Sequence, residues 1–331
     1  MAFCGPAGSL SGRKNCREGI FVLKVFRGLE GVSKKERGIA LGVFDGVHLG
    51  HQALIRSLLE KCREANLIPA ALTFSYEGGF GFDRKPLGHA FIMSEEEKLA
   101  ALKQAGVREV FLAPLTDSFL SLSPADFLEE VIAKRLGGRL LAMGEDGHFG
   151  WQGRGDADFL EDYASSHALQ PLIVEDVLWE GAKVSSSRIR CLLAAGEMEK
   201  AAAMMTRLFR LSGTVIQGRR IGSSIGFPTA NIPYPVRSAL IRRGVYASRV
   251  RAGEKEFPAV TSVGLAPSVH REHRELLVES FLYGFDGVLY GQPLEVAFLS
   301  FIRDEVRFES LDELKSRIAQ DIEIVRSLHG L

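Results

Sequence analysis

Two histidines three residues apart, His48 and His51, stand where an apolar run gives way to a helix-forming stretch, in Gly42-Val43-Phe44-Asp45-Gly46-Val47-His48-Leu49-Gly50-His51. Residues at that spacing are neighbours on a helical surface, so both imidazoles face one side of the first turn. The free amides and positive end of a helix attract an anion there, and they disfavour a proton on either ring until an anion binds. Gly50, between the rings, lets a ligand approach the main chain. The chemistry this suits is the holding of a phosphate. A turn that carries glycines only for its dihedral angles is the plainer reading, but the paired Gly-x-Phe-Asp-Gly and His-x-Gly-His segments are more specific than a lone glycine motif.

Two other segments of the first half carry matching chemistry. In Gly144-Glu145-Asp146-Gly147-His148-Phe149-Gly150 the glycines permit close backbone approach, and Asp146 could bond a ribose or a base edge. In Val184-Ser185-Ser186-Ser187-Arg188-Ile189-Arg190 hydroxyls lead into a helix that carries two guanidinium groups, a set suited to polyphosphate. The serine triplet by itself is equally a helix cap. Joined to Arg188, Arg190 and the upstream histidines, it reads as phosphate-binding.

The strongest segment of the second half is Gly222-Ser223-Ser224-Ile225-Gly226-Phe227-Pro228-Thr229-Ala230-Asn231. Its glycines allow a tight phosphate-facing loop, and Thr229 and Asn231 offer neutral oxygens suited to Mg²⁺ that keeps several waters. A glycine-proline loop between strands is the common alternative. Glu279, in Leu277-Val278-Glu279-Ser280-Phe281, is on its own a solvent-facing strand carboxylate.

The elements that must position these groups fall into two kinds. From Ile39 to about Ala203 short apolar runs alternate with amphipathic helices, which predicts a parallel sheet covered by helices. Strands are expected at Ile39 to Phe44, Ile68 to Phe74, Val110 to Leu115 and Leu140 to Met143. The first helix carries Leu54, Ile55, Leu58, Leu59 and Cys62 as a buried stripe. A capping box of Ser94 with Glu97 opens a second helix that stops at Gly106, and a third runs from Ser123-Pro124 to Gly137-Gly138. In an open parallel sheet ligands collect beyond the carboxyl ends of the strands, where the three phosphate-type segments lie. After about Arg207, alternation and glycine turns predict strands at Gly213 to Gln217, Gly244 to Val250, Ala259 to Val263, Leu276 to Leu282 and Leu294 to Phe301, a small antiparallel barrel. One helix, opened by Ser310 with Glu313 and striped by Leu311, Leu314, Ile318, Ile322 and Val325, closes the chain and packs across it.

The bulk numbers bound the answer. A chain of 331 residues with 46% hydrophobic content holds two packed cores, and 41 basic against 41 acidic residues leave no overall field toward nucleic acid or a membrane. No apolar run approaches the roughly 20 residues needed to cross a bilayer. Cysteines 4, 16, 62 and 191 show no Cys-x-x-Cys spacing, which indicates a reducing compartment without structural metal. Cys62 and Cys191 are expected in the core. Residues 1–19 read as a disordered leader, 20–206 as the first domain and 207–331 as the second.

The first segment resembles the signature of the nucleotidylyltransferase superfamily, in its FMN adenylyltransferase branch. Val184 to Arg190 is similar to that branch's Ile-Ser-Ser-Thr-x-Ile-Arg, and Asp146 falls in its Gly-x-Asp/Asn-Phe-x-Phe-Gly. Gly-x-Pro-Thr-Ala-Asn is the hallmark of riboflavin kinases; Gly244-Val245-Tyr246-Ala247, Leu289-Tyr290-Gly291 and Phe301 to Phe308 resemble the rest of that family in order. The chain is identified as a member of the bifunctional riboflavin kinase/FMN adenylyltransferase family, over nearly everything from Ile20 to Ile324. The resemblance implies a nucleotidylyltransferase-type doubly wound α/β domain followed by a riboflavin-kinase-type β-barrel. It implies phosphorylation of riboflavin to FMN and adenylylation of FMN to FAD with release of pyrophosphate, using ATP and Mg²⁺. His48, His51 and Arg188 would serve adenylyl transfer, with Gly42, Phe44, Asp45, Gly50, Asp146, Ser185, Ser186, Ser187 and Arg190 around the ATP. Gly222, Gly226, Pro228, Thr229 and Asn231 would hold the kinase ATP, with Mg²⁺ on the last two. Glu279 would be the general base, and Arg303, Glu305 and Phe308 would lie near the flavin. Riboflavin, FMN and ATP are the implied partners and the cytoplasm the implied setting, with no nucleic acid or membrane, and assembly of copies of the chain stays open.

The chain also departs from the pattern. After Leu72-Thr73-Phe74 the family continues with an acid and Pro-His-Pro, where this chain has Ser75-Tyr76-Glu77-Gly78-Gly79. Gly147 stands at an aromatic position, Ser262 to Ser268 replaces Asn-Ile-Gly-x-x-Pro-Thr, and Phe281 replaces a histidine. The alternatives these raise are a monofunctional riboflavin kinase with an impaired adenylyltransferase domain and a non-catalytic flavin or nucleotide sensor.

Overall fold

The computed structural model describes residues 21–75, 90–218, 227–267, 274–306 and 310–329. The expected leader, Tyr76 and Glu77, Gly222 and Gly226, Ser268, and Phe308 lie outside the described residues.

The first half is a six-stranded parallel sheet. Its strands are β1 (Lys24–Arg27), β2 (Arg37–Leu41), β3 (Ile68–Phe74), β4 (Glu109–Ala113), β5 (Gly138–Gly144) and β6 (Gln170–Val174), in the order β1-β4-β3-β2-β5-β6. Alternation sends Ala40 and Ala71 to one face and Ile39, Leu41 and Leu72 to the other, each into its own buried cluster. Helices α1 (Leu49–Glu64) and α2 (Glu95–Gln104) cover the first face through Leu54, Ile55, Leu58, Ala101 and Leu102. The capping box at Ser94 and Glu97 is present. On the second face, after α3 (Asp117–Leu120), the helix expected from Ser123-Pro124 begins as α4 (Pro124–Asp126) and continues in π-helical form over Phe127–Arg135. It packs Phe127, Val131 and Ile132 beside α5 (Ala157–Ala164). Strand order reverses between β2 and β5, so the crevice beyond their carboxyl ends is the ligand position of such a sheet.

A two-stranded hairpin, β7 (Leu178–Trp179) with β8 (Ala182–Lys183), turns through Glu180 and Gly181, both at positive φ. Helices α6 (Ser186–Ala195) and α7 (Met198–Met205) follow. The second half has strands β9 (Phe209–Thr214), β10 (Ala230–Pro233), β11 (Gly244–Ala252), β12 (Lys255–Pro267), β13 (Arg274–Leu282) and β14 (Pro293–Arg303). They form an antiparallel sheet ordered β10-β13-β12-β11-β14-β9, and a bridge between Ile216 and Asn231 brings its ends together into a nearly closed barrel. Helix α8 (Leu311–His329) lies on β12 and β11, burying Ile322 and Val325.

Three expectations need correction. The first strand ends at Leu41 rather than Phe44, because Phe44 takes φ 54° and turns its ring into the core. The strand expected at Gly213 to Gln217 runs from Phe209 to Thr214, since Phe209 and Leu211 are the inward-facing residues. Cys191 is exposed: the buried edge of α6 is Ile189 and Leu193, and a residue two places from each lies on the other side of the helix.

Candidate active sites

His48 is the N-cap of α1, and its Nδ1 accepts the His51 backbone N–H at 3.4 Å. That bond places the proton of the neutral ring on Nε2. The two imidazoles stack, with centroids 3.8 Å apart and planes 17° from parallel, and the Phe44 ring lies 5.1 Å from that of His51. His48 is only 6% exposed. Burial pushes its pKa down from 6.5 to about 4, aided by Arg207, Lys183 and Arg190 and opposed by Asp146. Burial also holds His51 well below 6.5, with His48 and Arg207 adding to it. The buried Nδ1 of His51 has no hydrogen-bond partner among the described residues. A Cβ on Gly50 would sit 3.3 Å from the His48 ring and 3.7 Å from the Val184 carbonyl, so glycine lets α1 and the start of α6 close together.

Helix α6 begins at the same place. Ser185 caps it by accepting the Arg188 N–H at 3.2 Å, and Ser186 Oγ donates to the Asp45 carbonyl at 2.8 Å. The amino ends of a 16-residue and a 10-residue helix thus meet at the β2/β5 crevice. The structure brings His48, His51, Gly50, Ser185, Ser186 and the Asp146 loop to this spot.

Several expected nucleotide contacts have other partners. Asp45, 1% exposed, accepts the Ile92 N–H at 2.9 Å on Oδ1 and Arg190 Nη2 at 2.6 Å on Oδ2. Burial raises its carboxyl above the ordinary value, against the pull of Arg190. Arg190 also donates from Nε to the Ala90 carbonyl at 2.8 Å, so this pair braces the turn. Phe44 is fully buried, which leaves only its backbone to a nucleotide; a Cβ on Gly42 would meet its ring at 3.3 Å. Arg188 gives Nη1 to the carbonyls of Trp179, Ala182 and Lys183, with its guanidinium 5.7 Å from the Trp179 ring centroid. Asp146 is bound by Lys183 at 2.6 Å, and Lys183 also reaches Asp176 at 2.7 Å. Burial works against the Lys183 charge, but the bonds to Asp146 and Asp176 outweigh it and raise its pKa.

Sequence reasoning missed Lys183, Lys98 and Arg207. A Glu-Gly turn in the hairpin was the available signal for the first. Lys98 is fully buried beneath the end of β3, with Nζ 2.9 Å from the Phe74 carbonyl; burial lowers its pKa to about 8, against Glu95 and Asp45. Arg207 contacts a turn 161 residues away.

In the barrel, Asn231 on β10 stands directly across from Glu279 on β13, and Glu279 stands across from Ser262 on β12. Directly opposed residues share a face of the sheet. Asn231 is 5% exposed and donates Nδ2 to the Thr229 carbonyl at 3.2 Å. A Cβ on Gly218 would lie 2.5 Å from that Nδ2, so a side chain there would displace the Asn231 amide. Thr229, Asn231 and Glu279 are therefore together, and Pro228 is exposed beside them. The ring of Phe281 meets that of Phe227 edge-on at 5.5 Å, an apolar contact where the resemblance supplied a histidine. Glu305 is exposed, and its carboxylate covers the Cα of Gly264, where a side chain would collide with it. Arg303, expected near the flavin, binds Asp321 of α8 through Nε at 3.0 Å and Nη2 at 2.6 Å. Asp321 is 1% exposed, so this pair fastens the closing helix to the barrel.

The family model described as FAD synthetase matches residues 32–188, and the one described as Riboflavin kinase matches residues 205–329. The bifunctional riboflavin kinase/FMN adenylyltransferase of Escherichia coli (strain K12) is 33% identical over 315 residues, 93% of this chain and 99% of the relative. That of Pseudomonas fluorescens is 32% identical over 92% of this chain and 98% of its own length. A solved structure described as a macrolide-efflux protein from Streptococcus pneumoniae superposes with a TM-score of 0.82 at 27% identity, over 92% of this chain and 99% of that one. Among the described residues no helix is long and apolar enough to cross a membrane. With both halves matched in order, and with relatives that share nearly its whole length, the chain belongs to the bifunctional riboflavin kinase/FMN adenylyltransferase family.

Proposed function

We propose that this chain phosphorylates riboflavin with ATP in its barrel half and transfers the adenylyl group of a second ATP to FMN in its sheet half, giving FAD and pyrophosphate. The observation that carries the adenylyl-transfer assignment is the meeting of two helix amino ends at the stacked pair of His48 and His51. Amides, positive helix ends and ring N–H groups stabilise spread negative charge, and in-line attack of the FMN phosphate on the α-phosphorus needs no covalent intermediate. His48 and His51 hold the α-phosphate oxygens. Ser185, Ser186 and Ser187 at the head of α6, with Arg188 and Lys183 beside them, receive the departing β- and γ-phosphates. Arg190 acts one step back, through Asp45.

For the kinase half, support comes from the Asn231–Glu279 pairing. Glu279 takes the proton of the ribityl 5′-hydroxyl as that oxygen attacks the γ-phosphorus and ADP departs with the bridging oxygen. Asn231 and Thr229 fit Mg²⁺: the bond from Nδ2 to the Thr229 carbonyl orients the Asn231 amide and leaves its Oδ1 for a cation. Such an ion supplies positive charge to the phosphates of ATP. Glu305 lies on the flavin side. The chain works in the cytoplasm, a setting supported by free Cys62 and Cys191.

Purified protein incubated with riboflavin, ATP and Mg²⁺ is expected to yield both FMN and FAD on separation of the flavins. FMN alone would reduce the chain to a kinase. Riboflavin bound but unchanged would make it a sensor.

A further inference from the structure

The turn that aims the two histidines has an unusual backbone. Phe44, Gly46 and Val47 take φ of 54°, 81° and 36° within four residues. Positive φ at a β-branched valine is a genuine outlier, and such conformations persist only where the surroundings over-determine them. The bond from the Val47 N–H to the Phe44 carbonyl is long, at 3.4 Å, so the turn's internal bonding is weak.

Much of the missing restraint comes from a residue 160 positions further along the chain. Arg207 donates from Nη2 to the Gly46 carbonyl at 2.9 Å and to the Val47 carbonyl at 2.8 Å. Gln52 Nε2 adds a bond to the same Val47 carbonyl at 2.9 Å and also reaches Thr206 Oγ1 at 2.9 Å. Arg207 is fixed in turn at the α7–β9 junction, where Met204, Met205 and Phe209 lie in the core shared with the barrel. The residue before His48 is thus held by a guanidinium anchored in barrel packing.

We infer that Arg207 is a positioning residue for adenylyl transfer, gripping the Gly46 and Val47 carbonyls so that the strained turn presents His48 and His51 in register. The inference rests on the proposed role of those histidines. It also extends that site past the segment matched as FAD synthetase, which ends at residue 188, into the segment matched as Riboflavin kinase, which begins at residue 205. The same cation has an electrostatic effect. It opposes protonation of both rings and keeps them neutral before an anion arrives.

The test uses the full chain with Arg207→Met and Arg207→Lys. Met removes both the charge and the bonds; Lys keeps the charge and a less directional donor. Conversion of added FMN to FAD is expected to lose at least about tenfold in kcat with Met, in keeping with the cost of a small misplacement. Lys should recover part of it, while conversion of riboflavin to FMN stays within about twofold for both variants. Titration of the unliganded protein by NMR should show the His48 ring moving up from about 4 in Arg207→Met. Unchanged FAD formation in Arg207→Met, or equal loss of both activities, would overturn the inference. A wild-type chain that forms no FAD from FMN would overturn the proposed function instead. In that case a His48 titration unmoved by Arg207→Met still rejects the role of Arg207.

Discussion

Replacing His48 with glutamine should flatten the protein's loss of stability in mild acid. The folded His48 ring takes a proton only near pH 4, whereas the unfolded ring takes one near 6.5. Folding therefore favours the neutral form: this contribution is complete above 6.5 and drains away as pH falls toward 4. At about 1.4 kcal/mol for each tenfold in proton affinity, that gap sets a ceiling of about 3 kcal/mol, of which about 2 kcal/mol is lost between pH 7 and pH 5. Glutamine removes the titration, and its poorer capping of α1 is a constant offset at both pH values. Urea unfolding of wild type and His48→Gln at pH 7 and pH 5 isolates the ring, because burial, the largest cause, holds His51 low in both proteins and the remaining titrating groups are common to them. The wild type is expected to lose about 2 kcal/mol more than the variant over that interval. Equal losses would refute a buried, neutral His48, and with it the picture of two uncharged rings awaiting an anion.

Other outcomes follow from the same geometry. Glu279→Gln should slow riboflavin phosphorylation by about a hundredfold or more while leaving FMN-to-FAD conversion unaffected, measured by flavin separation from each starting flavin; parallel loss of both rates rejects its role as base. In Gly38→Ala the added methyl would overlap Cys62 Sγ and lie 3.1 Å from Leu58 Cδ1. Such overpacking should cost about 1–3 kcal/mol in urea unfolding, and Cys62→Ala in the same chain should relieve it. Additive destabilisation in the double variant would show that the collision is not the cause.

What the sequence revealed depended on whether the deciding interaction was local. Strand β3 was legible residue for residue because Ile68 to Phe74 is an apolar run bounded on both sides, and the capping box of α2 is written in Ser94 and Glu97 alone. The hydrophobic pattern of β2 continues through Val43 and Phe44, yet the strand stops early. The buried seat of the Phe44 ring beside His51 outweighs extension of the backbone. Site chemistry was read from residue types, which locate charge but not its partner. Arg190 reads as a polyphosphate contact from its type, and Asp45 as a nucleotide contact from the resemblance. At 2.6 Å they hold each other, a pairing across 145 residues that spacing does not encode. Arg303 and Asp321 repeat the lesson in the barrel.

The division of the chain follows the same logic. The matched families leave residues 189–204 between them, and the packing does not break there. Ile189, Leu193, Met198, Ala201, Met204 and Met205 of α6 and α7 share one buried cluster with Phe209, Tyr246, Val278 and Phe298 of the barrel. Phe91, ahead of α2, donates its N–H to the Arg237 carbonyl at 2.7 Å and accepts the Ala239 N–H at 2.7 Å. The head of α6 meets the histidine turn while its body belongs to the core of the other half. An element packed at crystal-like density on one side cannot shift without moving what its end supports. Loosening of the barrel core should therefore reach the Ser186–Asp45 bond before it reaches the sheet, and under the proposed role of this turn adenylyl transfer should fall before the sheet unfolds. Two reactions on one chain are in this way joined by a shared helix pair rather than by a flexible tether.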